Sequence, residues 1–228
     1  MKKRIVSCML ILGVIWIMTV ASTKAEISSF DKIENWGNSV QKYVVNPIGE
    51  NSAVVESLKP VKDNKIILPE IEINQAKDFY IAAGYEEKGA SDLAVKYVKD
   101  INTLYQEAIK NGYNVTDDEI LAHIEQMKKE FEVAENKDEI DDFIDKFESE
   151  DAYWKFQFEM LKKDLPIQKY VSEKERNYIS KNMPINEVSE YIGDNTSADE
   201  IMKVQEKWDS EFEIMKESIE SNYSYIIK

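Results

Sequence analysis

Few side chains in this sequence can carry bond chemistry, and that inventory restricts the reactions open to it. His123 is the single histidine and Cys8 the single cysteine in 228 residues. A two-histidine metal site, or a zinc site of His and Cys, therefore lacks its ligands. A Ser–His–Asp triad would have to use His123, which falls mid-helix among Glu and Lys, where a surface histidine is the simpler reading. No Gly-rich phosphate loop, Gly-x-Ser-x-Gly or His-Glu-x-x-His occurs. Carboxylates abound, 44 Asp and Glu against 29 Lys and Arg, but abundance specifies no pair with the geometry for acid–base work. Asp138, Asp141, Asp142 and Asp145 hint at a calcium loop. That loop needs alternating oxygen ligands and a Gly at its sixth position, and neither is present. A solvated helix face is the better reading. No catalytic residue, metal or cofactor is expected.

The elements that would position any site begin with a leader. Lys2, Lys3 and Arg4 precede the apolar run Ile5–Val20, and Thr23, Lys24 and Ala25 follow with small residues at the −3 and −1 positions. Residues 1–25 thus read as a cleaved secretory signal peptide. An uncleaved membrane anchor is the rival, though the run is shorter than the roughly 20 residues a bilayer core needs. Nearly all of the apolar run lies after Cys8, whereas a lipoprotein box needs it upstream. Losing Lys2, Lys3, Arg4 and Lys24 removes four positive charges and moves the net charge from −15 to −19. Such a chain is a poor partner for nucleic acid or anionic lipid.

Seven Gly and five Pro are few, and strand-like alternation is scarce, so long helices are expected. Residues 26–70 read as an N-terminal helix followed by a linker arm. The helix, Glu26–Val45, carries Phe30, Ile33, Val40, Tyr43 and Val44. The arm, 46–70, holds Pro47, Gly49, Pro60 and Pro69 around the apolar patch Ile66, Ile67 and Leu68. Residues 71–228 read as the helical body. Asn74 is the expected first cap and Gly84 the end of a short helix. Ser91 is the expected cap of a helix running to Asn111, with Leu93, Tyr97, Ile101, Leu104 and Ala108 on its buried stripe. Residues 138–148 form an amphipathic helix through Ile140, Phe143, Ile144 and Phe147.

The helix capped by Ser149 is apolar on two sides. Trp154, Phe158, Leu161 and Leu165 form one stripe; Tyr153, Phe156 and Met160 form another, about 135° away. Such a helix is buried between layers, or keeps one side for a partner. Pro166 is expected to break or kink it. A short helix follows over Pro184–Tyr191. The last begins at Ser197, with Ile201, Val204, Trp208, Phe212, Met215, Ile219, Tyr223 and Ile226 recurring near every 3.6 residues.

The most informative stretch is Leu104–Met127. Gly112 stands where one helix should stop in a left-handed conformation. Thr116 and Glu119 then form a capping box, with Asp117 and Asp118 at the positive end of the helix dipole. With Leu104, Ala108 and Val115, this string resembles the helix–turn–helix of the amino-terminal chaperone domain of SurA/PrsA extracytoplasmic foldases. The resemblance is strong over roughly residues 90–130 and extends to about 170.

It implies an all-α, irregular multi-helix bundle of that type, here with a long C-terminal helix. It implies an exported protein at the cell surface or beyond, binding apolar segments of unfolded or newly exported polypeptides without ATP. The stripe of Tyr153, Phe156 and Met160 becomes the candidate client-contact surface, since Met and aromatic side chains adapt to varied apolar partners. Family members insert a parvulin isomerase domain with paired histidines. Residues 172–228 are too few for it and only one histidine exists, so no catalytic position carries over. Two rivals stay open: an extracytoplasmic module with one specific partner, and a residual prolyl isomerase.

Overall fold

The computed structural model describes Tyr43, residues 51–182 and residues 198–228. The expected leader, the helix over Glu26–Val45 apart from Tyr43, the short helix at Pro184–Tyr191 and the cap at Ser197 lie outside the described residues. What is described is mostly helical, with seven helices and one two-stranded sheet. The helices are α1 (Ser52–Ser57), α2 (Glu70–Ala82), α3 (Glu87–Lys110), α4 (Asp117–Glu132), α5 (Lys137–Ile144), α6 (Glu150–Asn182) and α7 (Ala198–Glu220). The strands are β1 (Lys65–Leu68) and β2 (Ser224–Ile227).

Local sequence explains most of the boundaries. Asn51 caps α1, its Oδ1 accepting from the backbone N–H of Ala53 and Val54. Gly84 and Gly112 both have positive φ. Each closes its helix with paired backbone bonds: Gly84 to Ile81 and Tyr85 to Tyr80, then Gly112 to Ile109 and Tyr113 to Ala108. This double reversal satisfies carbonyls that a helix end leaves open. The Thr116–Glu119 capping box is present in both directions. Ser149 Oγ accepts from Ala152 N at the start of α6.

Other expectations are corrected. α2 starts at Glu70 directly after Pro69, rather than near Asn74. A proline entering a helix gives up an N–H that had no intrahelical acceptor. α3 starts at Glu87, so Ser91 is an interior residue whose hydroxyl donates to Glu87 O. α5 stops at Ile144, and Phe147 is buried beyond its end. α6 continues unbroken through Pro166. Buried Leu165 and Ile167 anchor it on both sides of the missing hydrogen bond.

The largest correction is at the two ends of the described chain. α7 stops at Glu220, and Tyr223 and Ile226 do not prolong its stripe. β2 instead pairs in parallel with β1, Ile66 opposite Tyr225 and Leu68 opposite Ile227. Asp63 and Asn64 take left-handed φ just before β1, which short polar side chains tolerate. Glu70 N donates to Lys228 O at 2.7 Å, joining the strand pair to the first turn of α2. Ile66 and Leu68 point into the core. Residues 51–70, expected within a linker arm, therefore supply α1, β1 and the entry to α2.

The core has two parts. In the larger, Ala76, Phe79 and Tyr80 of α2, Ala90, Ala94 and Val98 of α3, and the buried faces of α4, α5 and the first half of α6 pack together. Ala90 and Ala94 are fully buried; small side chains there let neighbouring backbones come close. In the smaller, Trp208 and Phe212 of α7 meet Leu104, Tyr105 and Ala108 of α3 and Ile167 and Tyr170 of α6. Lys216, itself buried, bridges to Asp100 across this contact at 3.2 Å.

Candidate binding cavity

α3 carries three buried polar residues in its middle, Asn102, Thr103 and Gln106. They bind elements far away in sequence. Gln106 Nε2 donates to Ser57 O and Lys59 O, while its Oε1 accepts from Val61 N. Tyr105 OH donates to Leu58 O. These bonds hold residues 57–61 against α3. Thr103 Oγ1 lies 3.0 Å from Tyr225 OH and so ties β2 to the same helix.

Asn102 belongs to a buried ionic cluster. Lys163 of α6 donates to Glu72 Oε1 at 2.6 Å, to Asn102 Oδ1 at 3.0 Å and to Ser57 Oγ at 3.4 Å. Asn102 Nδ2 donates to Glu72 Oε2 and to Val98 O. Burying the Lys163 ammonium is tolerable because all three donor directions find oxygen. Four elements, α1, α2, α3 and α6, thus meet at one charged knot.

Beside the knot lies a cavity of about 60 Å³. Val54, Leu58, Phe79, Val98, Ile101 and Met160 give it a mainly apolar wall, and Glu72, Gln75, Lys163 and Asp164 give it a polar one. Two atoms on the polar side have no hydrogen-bond partner among the described residues: Gln75 Nε2 and Asp164 Oδ2. Burial pushes the Asp164 carboxyl up to about 7, Lys163 pulling it down and Glu72 adding to the rise.

The expected client-contact residues separate. Tyr153 is 0% exposed and Phe156 7% exposed. Tyr153 stands edge-to-face against Phe147 at 5.2 Å and against Phe143 at 6.3 Å, and Phe156 lies 5.8 Å from Phe147. Both are core, so they offer no contact surface. The reason is the aromatic pair Phe143 and Phe147, which covers that side of α6. Met160 alone of the three reaches the cavity, half-buried. His123 is half-buried on α4 and outside the cavity wall; burial lowers its pKa, with Glu130 opposing.

Sequence reasoning missed Glu72, Gln75, Lys163 and Asp164. One signal was available. Asn102 and Thr103 interrupt the apolar run of a long helix, and polar residues there need a partner. Among the described residues no group of His, Cys, Asp and Glu is arranged to hold a metal ion, and no helix is long and apolar enough to cross a membrane. Compared with family models, curated proteins and solved structures, the chain has no significant match.

Proposed function

We propose that this is an exported, non-enzymatic polypeptide-binding protein of the chaperone kind, taking apolar segments of its clients at the cavity beside Met160. The observation that carries the reading is that cavity. Its apolar wall, formed by α1, α2, α3 and α6, surrounds about 60 Å³, far less than the roughly 300 Å³ or more of a small-molecule site, so it suits one small inserted side chain. The finer fold type, a bundle like the SurA/PrsA amino-terminal domain, rests on the Leu104–Met127 helix–turn–helix. Export rests on the leader-like residues 1–25.

One observation favours the single-partner version over a general chaperone. The large exposed apolar residues among those described are Val55, Ile81, Val95, Leu121, Val133, Ile214 and Ile227. Exposed apolar residues in this number are ordinary on a protein surface. A broad holdase needs a continuous apolar face. A cavity of about 60 Å³ suits one partner that inserts a single small side chain.

The deciding experiment measures aggregation of several unrelated denatured proteins with the purified full chain. Suppression across all of them, weakened several-fold by Met160→Asp with helicity unchanged, supports the chaperone form. No suppression, with one tight partner recovered from cell envelope by cross-linking and lost in Met160→Asp, supports the single-partner form. Retention of all binding by Met160→Asp would remove the cavity from the reading. Acceleration of prolyl isomerisation in a short peptide would replace it with the isomerase alternative.

A further inference from the structure

The strand pair has two unlike faces. Ile66 and Leu68 of β1 turn into the core. Lys65 and Ile67 alternate with them and so face outward. In the parallel register Ile67 stands opposite Ile226, and both are half-buried. This cross-strand pair floors an open groove of about 450 Å³, walled by the 56–62 segment and by Lys65 and Lys228. The groove shares no lining residue with the cavity at Met160. Its size is within the range of ligand sites, roughly 300–1,000 Å³.

The charge of the groove is opposite to that of the chain. The protein carries −15, yet Lys59, Lys62, Lys65 and Lys228 line the groove against one acid, Glu56. Glu56 and Lys228 hold each other at 2.9 Å. Lys59, Lys62 and Lys65 are exposed and have no ion-pair partner among the described residues. The charge is also uneven along the strands. Lys65 begins β1, and Lys62 lies beside it, its carbonyl accepting from Lys65 N at 3.3 Å. Lys228 follows β2 at the opposite end. One end thus presents unpaired cations and the other a neutralised pair, with Ile67 and Ile226 between them.

This pattern selects an occupant. A fatty acid brings one carboxylate to three lysines. A nucleic acid is a long polyanion, which a chain of this net charge repels, and its bases and sugars match an aliphatic floor poorly. A short extended polypeptide satisfies both parts. Its side chains project to one side at every second residue, about 6.6 Å apart, which is the step from Lys65 to Ile67.

We propose that this groove docks an extended acidic segment of another polypeptide, with Asp or Glu at Lys62 and Lys65 and an aliphatic side chain two residues away on Ile67 and Ile226. Lys59 meets a further carboxylate of the same segment. This docking does not depend on the cavity at Met160.

The test is fluorescence anisotropy of labelled eight-residue peptides with the purified full chain. The reference peptide repeats Glu-Ser-Val-Ser, so that Glu and Val share one side. Control peptides carry Gln for Glu, Lys for Glu, or Ser for Val; dodecanoate and an oligothymidylate are competitors. The reference should bind about fivefold or more tightly than each control, and should weaken as added salt screens exposed charges. Lys62→Glu and Lys65→Glu should each weaken it about fivefold, an exposed pair being lost and a repulsion gained. The double variant should turn the preference toward the Lys peptide. Lys129→Glu makes the same charge change at an exposed site on α4 and should leave binding unchanged.

Equal binding of the Gln or the Ser-for-Val peptide, an equal loss in Lys129→Glu, or no binding of any peptide overturns the inference. Displacement of the reference by dodecanoate or oligothymidylate at lower concentration than by the unlabelled peptide overturns the polypeptide source. Self-association that Lys65→Glu abolishes would make the occupant a second copy of the chain, and overturns it too. Failure of the acidic peptide, with client binding still lost in Met160→Asp, removes the groove and leaves the reading at Met160 standing. The reverse result upholds the groove and removes that reading.

Discussion

Lys163 and Asp164 are neighbours in sequence yet end in different electrostatic situations. Lys163 meets three oxygens, whereas Asp164 keeps one oxygen unmet and is pushed up to about 7, mainly by burial. A carboxyl raised above its unfolded value of 3.8 binds its proton more tightly in the folded state. Its penalty is therefore absent below about pH 4, grows as pH rises through the interval from 4 to 7, and is complete above it. Asp164→Asn should remove this dependence. Urea unfolding of both proteins should give a stability difference that widens from pH 4 to pH 8, favouring the variant by on the order of 3–4 kcal/mol at the top. A difference independent of pH would mean that Asp164 is not buried as described. Nothing near Asp164 in the sequence announced this. Three charged residues stand in a row at Lys162, Lys163 and Asp164, and only the fold makes the last two interior, Glu72 and Asn102 meeting Lys163.

Among the elements, the helix ends were the most legible. Gly112, Thr116 and Glu119 act through bonds within a few residues, so their spacing carries the whole signal. The two helix glycines of the α3 region allow a sharp comparison. A Cβ at Gly89, inside α3, or at Gly112, just past its end, meets no atom within 4 Å, so sterics against neighbours cancel. Only Gly112 has positive φ. Gly89→Ala should raise stability by about 0.5 kcal/mol, less than the roughly 1 kcal/mol of a helix interior because Gly89 lies in the first turn. Gly112→Ala should lower it by about 1 kcal/mol or more, the strain of a left-handed backbone. Thermal unfolding of both variants checks the opposite signs. The starts of α2 and α3 were less legible. Asn74 and Ser91 look like caps by type, but Pro69 and Glu86 hold the N-cap positions. Composition alone does not choose between nearby cap candidates.

At the scale of the whole molecule, the β1–β2 pair closes a chain segment that contains all the helices from α2 to α7. Its bonds include Ser224 N to Asn64 O and Lys228 N to Leu68 O. Deleting residues 224–228 should cost on the order of 3 kcal/mol, several backbone hydrogen bonds at about 1 kcal/mol each. It should also expose Ile66, now almost fully buried. A lower urea midpoint checks this, and an unchanged midpoint would make the sheet an accessory. By itself the sequence determined the mostly helical character, the turn at Gly112, the capping box and part of the apolar stripes, because these depend on neighbours within one or two turns of backbone; on α3 the fold buries Ala90, Ala94 and Val98 and leaves Leu93, Tyr97 and Ile101 half-buried. The tertiary structure decided that Tyr153 and Phe156 are core, that residues 224–227 form a strand, and that Glu72, Gln75, Lys163 and Asp164 share one cavity. Those outcomes depend on which surfaces meet, from the Phe147–Tyr153 contact between neighbouring elements to contacts across some 30 to 160 positions of chain. A side chain's local pattern says that it wants burial or a partner; the fold alone says which partner it obtains.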